Sequence, residues 1–199
     1  ASSNALDAIR ETAGPGIPVI DVVTPAVNWV SSKYDEGTIG VIGTRATIAS
    51  GWYQSLLTQA GLTAQAKATP LLASAIEEGF QHGRVSSALI EAYLGQGAFD
   101  SVKAIILGCT HYPLIANQIA AQLPSHIELV DSAHVVAHAL KLAIQEQLAN
   151  QISAPASSSS LSTQRFLVSD LTESFALGAQ RFYGSPIALQ ERKLTTAQD

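Results

Sequence analysis

Short apolar runs bounded by turn residues alternate along this chain with longer stretches of helical periodicity. The strand-like runs fall at residues 17–23, 38–43, 63–68, 102–107, 127–130 and 165–168. Helical spacing occupies 5–10, 46–60, a segment opened by Pro70 that carries Leu71, Leu72 and Ile76, then 84–95, 133–148 and 173–182. The run Val102-Lys103-Ala104-Ile105-Ile106-Leu107 is almost continuously apolar, as a strand buried on both faces requires. Strands separated by helices in this order predict βαβ units and an α/β fold with a mostly parallel sheet. Their C-terminal ends then share one edge, where such sheets bind ligands. Residues 153–160 are Ser-rich and read as an exposed loop, and no repeat at solenoid periods is visible.

Composition narrows the functional classes. The 199 residues are 47% hydrophobic and 14% charged, with a net charge of −5. Lys and Arg are scattered, Arg192-Lys193 being the one close pair, so no nucleic-acid partner is called for. No apolar run approaches the ~20 residues of a membrane span, and no secretory leader is recognisable. A single cysteine excludes an internal disulfide and fits a reducing, cytoplasmic setting. The chain contains no Met, and Ala1-Ser2-Ser3-Asn4 runs directly into a helical pattern, so sequence is expected upstream of Ala1.

Polar chemistry concentrates at strand-to-helix junctions. In Leu107-Gly108-Cys109-Thr110-His111-Tyr112-Pro113-Leu114 a buried strand ends, Gly108 permits close approach of a ligand, and Pro113 opens the next helix. Cys109 is thereby expected near a helix N-terminus, which favours thiolate, with His111 placed to exchange a proton with it. Spacing alone favours the plainer reading, with Cys109 a small buried hydrophobe and His111 a loop residue. At Gly43-Thr44-Arg45-Ala46-Thr47 the two threonines fit a carboxylate site or a helix N-cap. Asp131, after the strand at 127–130, reads foremost as the cap of the following helix. His134 and His138 have ligand spacing on one helix, but no third ligand is near, so no metal is expected. Glu77 and Glu78 close a helical pattern and read as surface charge.

The Gly108–Leu114 segment is similar to the C-terminal cysteine motif of the glutamate racemases, within the aspartate/glutamate racemase superfamily. Other segments resemble the same family in the same order: Val41-Ile42-Gly43-Thr44 with Thr47, Ile48 and Ser50; Pro70-Leu71-Leu72 with Ile76-Glu77-Glu78-Gly79; Leu129-Val130-Asp131-Ser132; and Phe166-Leu167-Val168-Ser169-Asp170 with Phe175 and Arg181-Phe182-Tyr183-Gly184. Ala133 stands where the family usually has Gly.

The resemblance implies a cofactor-independent racemase that interconverts L- and D-glutamate for peptidoglycan synthesis, using cysteines on opposite faces of the α-carbon. It makes Cys109 one base, gives His111 and Glu77 supporting catalytic roles, and assigns substrate contacts to Thr110, His111, Thr44 and Thr47. It also implies two similar three-layer α/β domains with the site in the cleft between them. Residues 22–129 would form the complete domain, and 1–21 with 130–199 an incomplete remnant of the other, exposing apolar surface. A homodimer fits this picture.

The family's first cysteine lies in an Ala-Cys-Asn-Thr segment, and Ala1-Ser2-Ser3-Asn4 resembles the residues directly after that segment. By that comparison the chain starts a few residues too late for the first cysteine, and is expected to be inactive or nearly so as a racemase. The alternatives are a racemase of another small acidic amino acid such as aspartate, a thiol hydrolase using Cys109 and His111, and a binding module without catalysis.

Overall fold

Four parallel strands, β1 (Thr38–Gly43), β2 (Thr63–Ala68), β3 (Ala104–Gly108) and β4 (Glu128–Asp131), lie in the order β2-β1-β3-β4. In this computed structural model residues 5–14, 17–150 and 164–193 are described. The lead Ala1–Asn4, Pro15 and Gly16 of the first turn, and the Ser-rich loop at 153–160 lie outside them.

Two helices precede the sheet, α1 (Leu6–Ala13) and α2 (Thr24–Ser31). Between β1 and β2 come α3 (Arg45–Ala49) and α4 (Trp52–Gln59), and between β2 and β3 come α5 (Pro70–Glu77) and α6 (Arg84–Leu94). A 3-10 turn (Tyr112–Ile115) and α7 (Ala116–Ala120) connect β3 to β4, and α8 (Ser132–Asn150) comes next. A separate parallel pair, β5 (Phe166–Val168) and β6 (Leu189–Glu191), flanks α9 (Glu173–Tyr183).

Alternation along the central strands sorts side chains into two cores, because successive residues of a strand point to opposite faces. On one face Ile39, Val41, Ala104, Ile106 and Val130 pack with Val27 and Val30 of α2, Tyr53 and Leu57 of α4 and Val135 of α8. On the other, Ile42, Ile105 and Leu107 pack with Leu72 and Ile76 of α5, Ile90 and Leu94 of α6 and Ile119 of α7. The expected three-layer α/β arrangement is therefore present. A Cβ at Gly40 would stand 2.8 Å from Ile105 and 2.9 Å from Phe99, so glycine is what lets the second core close over β1.

Three local expectations change. Residues 17–23 form no strand: no neighbouring strand among the described residues offers a ladder, and Asp21 turns the chain by accepting the amides of Val23 (2.8 Å) and Thr24 (2.7 Å). That carboxylate starts α2, a helix the apolar pattern hid, with Pro25 in its first turn. The helix expected over 46–60 is broken at Gly51, whose φ of 70° is left-handed, so α3 and α4 are separate. Strand β6 was not anticipated, being three residues long and without an apolar run.

Candidate active site

The strand order reverses between β1 and β3. The chain leaves β1 through α3 and α4 over one face of the sheet, and leaves β3 through the 3-10 turn and α7 over the other. Connections that diverge in this way open a crevice at the C-terminal ends of the two strands. Gly43 and Gly108 are paired in register at that point, so Thr44 and Cys109 emerge side by side from the sheet.

Neighbouring chain excludes a side chain at Gly108 and crowds one at Gly43. A Cβ at Gly108 would lie 2.9 Å from the Ile42 carbonyl oxygen and 3.3 Å from the Tyr53 ring. One at Gly43 would lie 3.2 Å from both the Gly108 carbonyl oxygen and Thr47 Cγ2. The close approach expected of Gly108 is thus to β1 and α4.

Cys109 is half-buried at this edge, packed against the second core without being sealed within it. Its Sγ stands 3.6 Å from His111 Nδ1, and His111 Nε2 stands 2.9 Å from Glu77 Oε1 at the end of α5. A carboxylate at Nε2 fixes the proton of a neutral imidazole there, which leaves Nδ1 as an acceptor facing the thiol. The three side chains form an unbroken path of contacts from sulfur to carboxylate. The sequence separates Glu77 widely from the other two, and the fold brings all three together.

The thiol itself departs from the expected thiolate. Burial pushes its pKa up, the Glu77 charge adds to that, and amide hydrogen bonds from His111 and Tyr112 oppose without prevailing. Only a 3-10 turn and the five-residue α7 come after it, so no long helix dipole faces the sulfur.

A cavity of about 580 Å³ opens beside this path, lined by Glu77, Glu78, Thr110 and His111 together with Phe175 and Phe182 of α9. Thr110 is exposed in its wall. Thr44 and Thr47 are not among the lining residues. Thr44 Oγ1 caps α3 by accepting the Thr47 amide at 3.2 Å, and the two hydroxyls are 3.0 Å apart. They stand at the β1 side of the crevice, with Thr47 Cγ2 3.6 Å from the position of a Cβ on Gly108.

Asp131 caps α8 as anticipated, accepting the amides of Ala133 (2.8 Å) and His134 (3.3 Å). No group of three or more His, Cys, Asp or Glu able to hold a metal occurs among the described residues. Nor is any described helix long and apolar enough to cross a membrane.

Sequence reasoning missed the support of the cysteine loop. Tyr112, fully buried, donates to the Thr69 carbonyl at 3.0 Å, while its hydroxyl lies 2.6 Å from that of Thr69. The Thr69 amide in turn donates to the Gly43 carbonyl at 2.8 Å. This ties the ends of β1, β2 and β3 together under the crevice. A buried tyrosine must place its hydroxyl, so Tyr112 in the cysteine motif carried the signal.

The Asp/Glu/hydantoin racemase family matches residues 2–140. The glutamate racemase of Koribacter versatilis is 35% identical over 94% of this chain and 70% of its own length. That of Saccharopolyspora erythraea is 36% identical over 86% of the chain, which spans 62% of that relative, less than two thirds of it. Among solved structures, the glutamate racemase of Francisella tularensis in complex with D-glutamate superposes with a TM-score of 0.80 at 29% identity, covering 98% of this chain and 70% of that one. With a family match across most of its length and the cysteine at the crevice of a parallel sheet, the chain belongs to the Asp/Glu/hydantoin racemase family.

Proposed function

We propose that this chain supplies the Cys109 half of a cofactor-independent glutamate racemase. The observation that carries the reading is the contiguous path Cys109 Sγ–His111 Nδ1, 3.6 Å, and His111 Nε2–Glu77 Oε1, 2.9 Å, at the mouth of the sheet. A carbon acid is inverted when one group removes the α-proton from one face and another delivers a proton to the opposite face. Cys109, resting as a thiol, delivers the proton on its face. In the reverse direction its thiolate, formed when His111 Nδ1 accepts the thiol proton, takes the α-proton. Glu77 holds the imidazole tautomer and balances the charge that develops on it.

Thr110 and His111 supply substrate contacts on the cavity side, and Thr44 and Thr47 hydroxyls receive the substrate carboxylate on the β1 side. Residues 22–129 form one α/β domain on this reading, and 1–21 with 130–199 belong to the other, with substrate between them. The glutamate racemases among the relatives, and the D-glutamate in the Francisella tularensis structure, support glutamate as substrate. The same reading places the reaction in the cytoplasm, where D-glutamate enters peptidoglycan, and allows a homodimer through exposed apolar side chains such as Leu142 and Leu177.

Cys109 is the only cysteine of the 199 residues, so a two-thiol inversion draws its second thiol from outside this sequence. The chain is therefore expected to exchange the α-proton of one glutamate enantiomer in D2O with almost no net inversion, as followed by NMR and optical rotation. Exchange that persists in Cys109→Ser, or inversion at a rate typical of an enzyme by this chain, defeats the proposal.

A further inference from the structure

Helix α9 belongs to the β5–β6 unit, yet its last turn reaches the candidate proton path. Three consecutive residues make three different contacts. Tyr183 packs edge-on against Phe166 of β5, with ring centroids 5.1 Å apart, and donates to Gln164 Oε1 at 2.9 Å. Arg181 lays its guanidinium over the backbone of Gly79, with Nη1 3.3 Å from the position of a Cβ there, one residue beyond Glu78. Phe182 meets the imidazole of His111 edge-to-face, centroids 5.1 Å apart and planes at 88°.

Both ends of α9 are fixed by their caps. Thr172 Oγ1 accepts the Phe175 amide at 3.2 Å, and Gly184, left-handed at φ 78°, closes the C-terminus by donating to the Gln180 carbonyl. The helix therefore presents Phe182 from a defined height, with Tyr183 bracing it on its own sheet.

We infer that Phe182 is a positioning residue that holds the His111 ring with Nδ1 toward Cys109 and Nε2 toward Glu77. A histidine on a short turn can rotate about χ2, and a rotation by half a turn puts ring carbons where Nδ1 and Nε2 stood, breaking both contacts. The perpendicular ring of Phe182 favours one plane, because edge-to-face packing is directional. His111 keeps 22% of its side-chain surface exposed, so its surroundings do not fix that plane by enclosure alone. The titratable and charged groups around the ring are Cys109 from the β3 loop and Glu77 from the end of α5, both in contact with it, with Glu78, and Arg181 of α9, lining the same cavity. The consequence is a coupling. Displacing α9 releases the imidazole, so the β5–α9–β6 unit controls the proton path without touching the sulfur.

This rests on the Cys109–His111–Glu77 reading, and its test needs no turnover. The 199-residue chain is compared as wild type, Phe182→Leu, Phe182→Tyr and Phe175→Leu, a ring in the same cavity that makes no ring contact with His111. The readouts are the imidazole 15N resonances of His111, assigned with His111→Gln, and the pH profile of Cys109 alkylation by iodoacetamide. The plateau of that profile reports access to the sulfur, and its midpoint reports proton affinity.

In Phe182→Leu the His111 resonances should move toward those of a freely rotating histidine. The alkylation midpoint should rise, lowering the rate at pH 8 by about five-fold, the scale of one lost ring contact. Phe182→Tyr restores both readouts and Phe175→Leu leaves both in place. Unchanged resonances and midpoint in Phe182→Leu overturn the inference, as does an equal change in Phe175→Leu. Failure of α-proton exchange with these readouts intact would instead count against the racemase proposal alone.

Discussion

The hydroxyl of Tyr112 and the backbone of Thr69 are joined across the sheet edge, the tyrosine donating to the Thr69 carbonyl at 3.0 Å. The Thr69 hydroxyl completes the pair at 2.6 Å, with the Gly43 carbonyl as its second acceptor at 3.3 Å. Tyr112 begins the turn three residues after Cys109, so this pair sets the height of the cysteine loop over β1. Tyr112→Phe should cost about 1–2 kcal/mol, since a buried hydroxyl of Thr69 loses its best partner. Urea denaturation measures the loss. Because the Thr69 carbonyl still accepts the Leu72 amide at 3.2 Å, the fold itself should survive. A variant as stable as wild type would show that the loop is held elsewhere.

Thr44 has a structural duty separable from any ligand. Its hydroxyl caps α3 through the Thr47 amide, and α3 is too short to hold its first turn by itself. Thr44→Ala should lose ~1 kcal/mol in chemical denaturation, whereas Thr44→Ser, which keeps the oxygen, should lose only a few tenths. If the serine variant falls as far as alanine, the hydroxyl is not what stabilises the turn.

The central sheet was legible because β1 and β3 are buried on both faces and so must be apolar throughout, a signal independent of distant partners. The pattern at 17–23 was equally apolar and misled, since a strand also requires a neighbour and Asp21 requires its own hydrogen bonds. The Asp21-Val22-Val23-Thr24-Pro25 order carried the helix-start signal that the apolar run obscured. At the site, Cys109 and His111 are close in sequence, so their pairing was open to inspection. Glu77 came only through resemblance, because α6 and β3 separate it along the chain from His111. The parts played by Thr69 and Phe182 could not be read: one is an ordinary loop threonine, the other an apolar residue of an amphipathic helix that resembles the family without showing its contact. Their roles exist only in three dimensions.

Asp21 gives the chain a predictable acid limb. Burial opposes its ionisation, but hydrogen bonds from the Thr24 amide and hydroxyl and the Val23 amide, with the Arg10 charge, outweigh it and hold the carboxyl below the usual aspartate range. The folded state then releases this proton more readily than the unfolded one. Its contribution is complete above the usual aspartate range and is lost as pH falls through the lower folded value. Stability should therefore decline in the wild type as pH falls through and below the ordinary aspartate range, and Asp21→Asn should flatten that part of the curve while being less stable at neutral pH. Denaturation at a series of pH values checks this. An acid limb of equal slope in both proteins would assign it to other carboxylates.

Cys109 should titrate above an ordinary thiol. Burial is the largest cause and the nearby Glu77 charge works in the same direction, while the His111 and Tyr112 amides pull against them and lose. Because the chain has one cysteine, alkylation by iodoacetamide reports this sulfur without background. Only the thiolate reacts, so the rate should still be climbing where a free cysteine, with its pKa of about 8.5, has reached half its plateau. Lowering the pH from there should suppress the reaction about ten-fold per unit, as one ionisation requires. A resting thiol is suited to delivering a proton, and it needs the imidazole beside it to act as a base. A midpoint below that of free cysteine would mean that the two amides dominate over burial. The sulfur would then rest as a thiolate, and His111 would no longer be needed to take its proton.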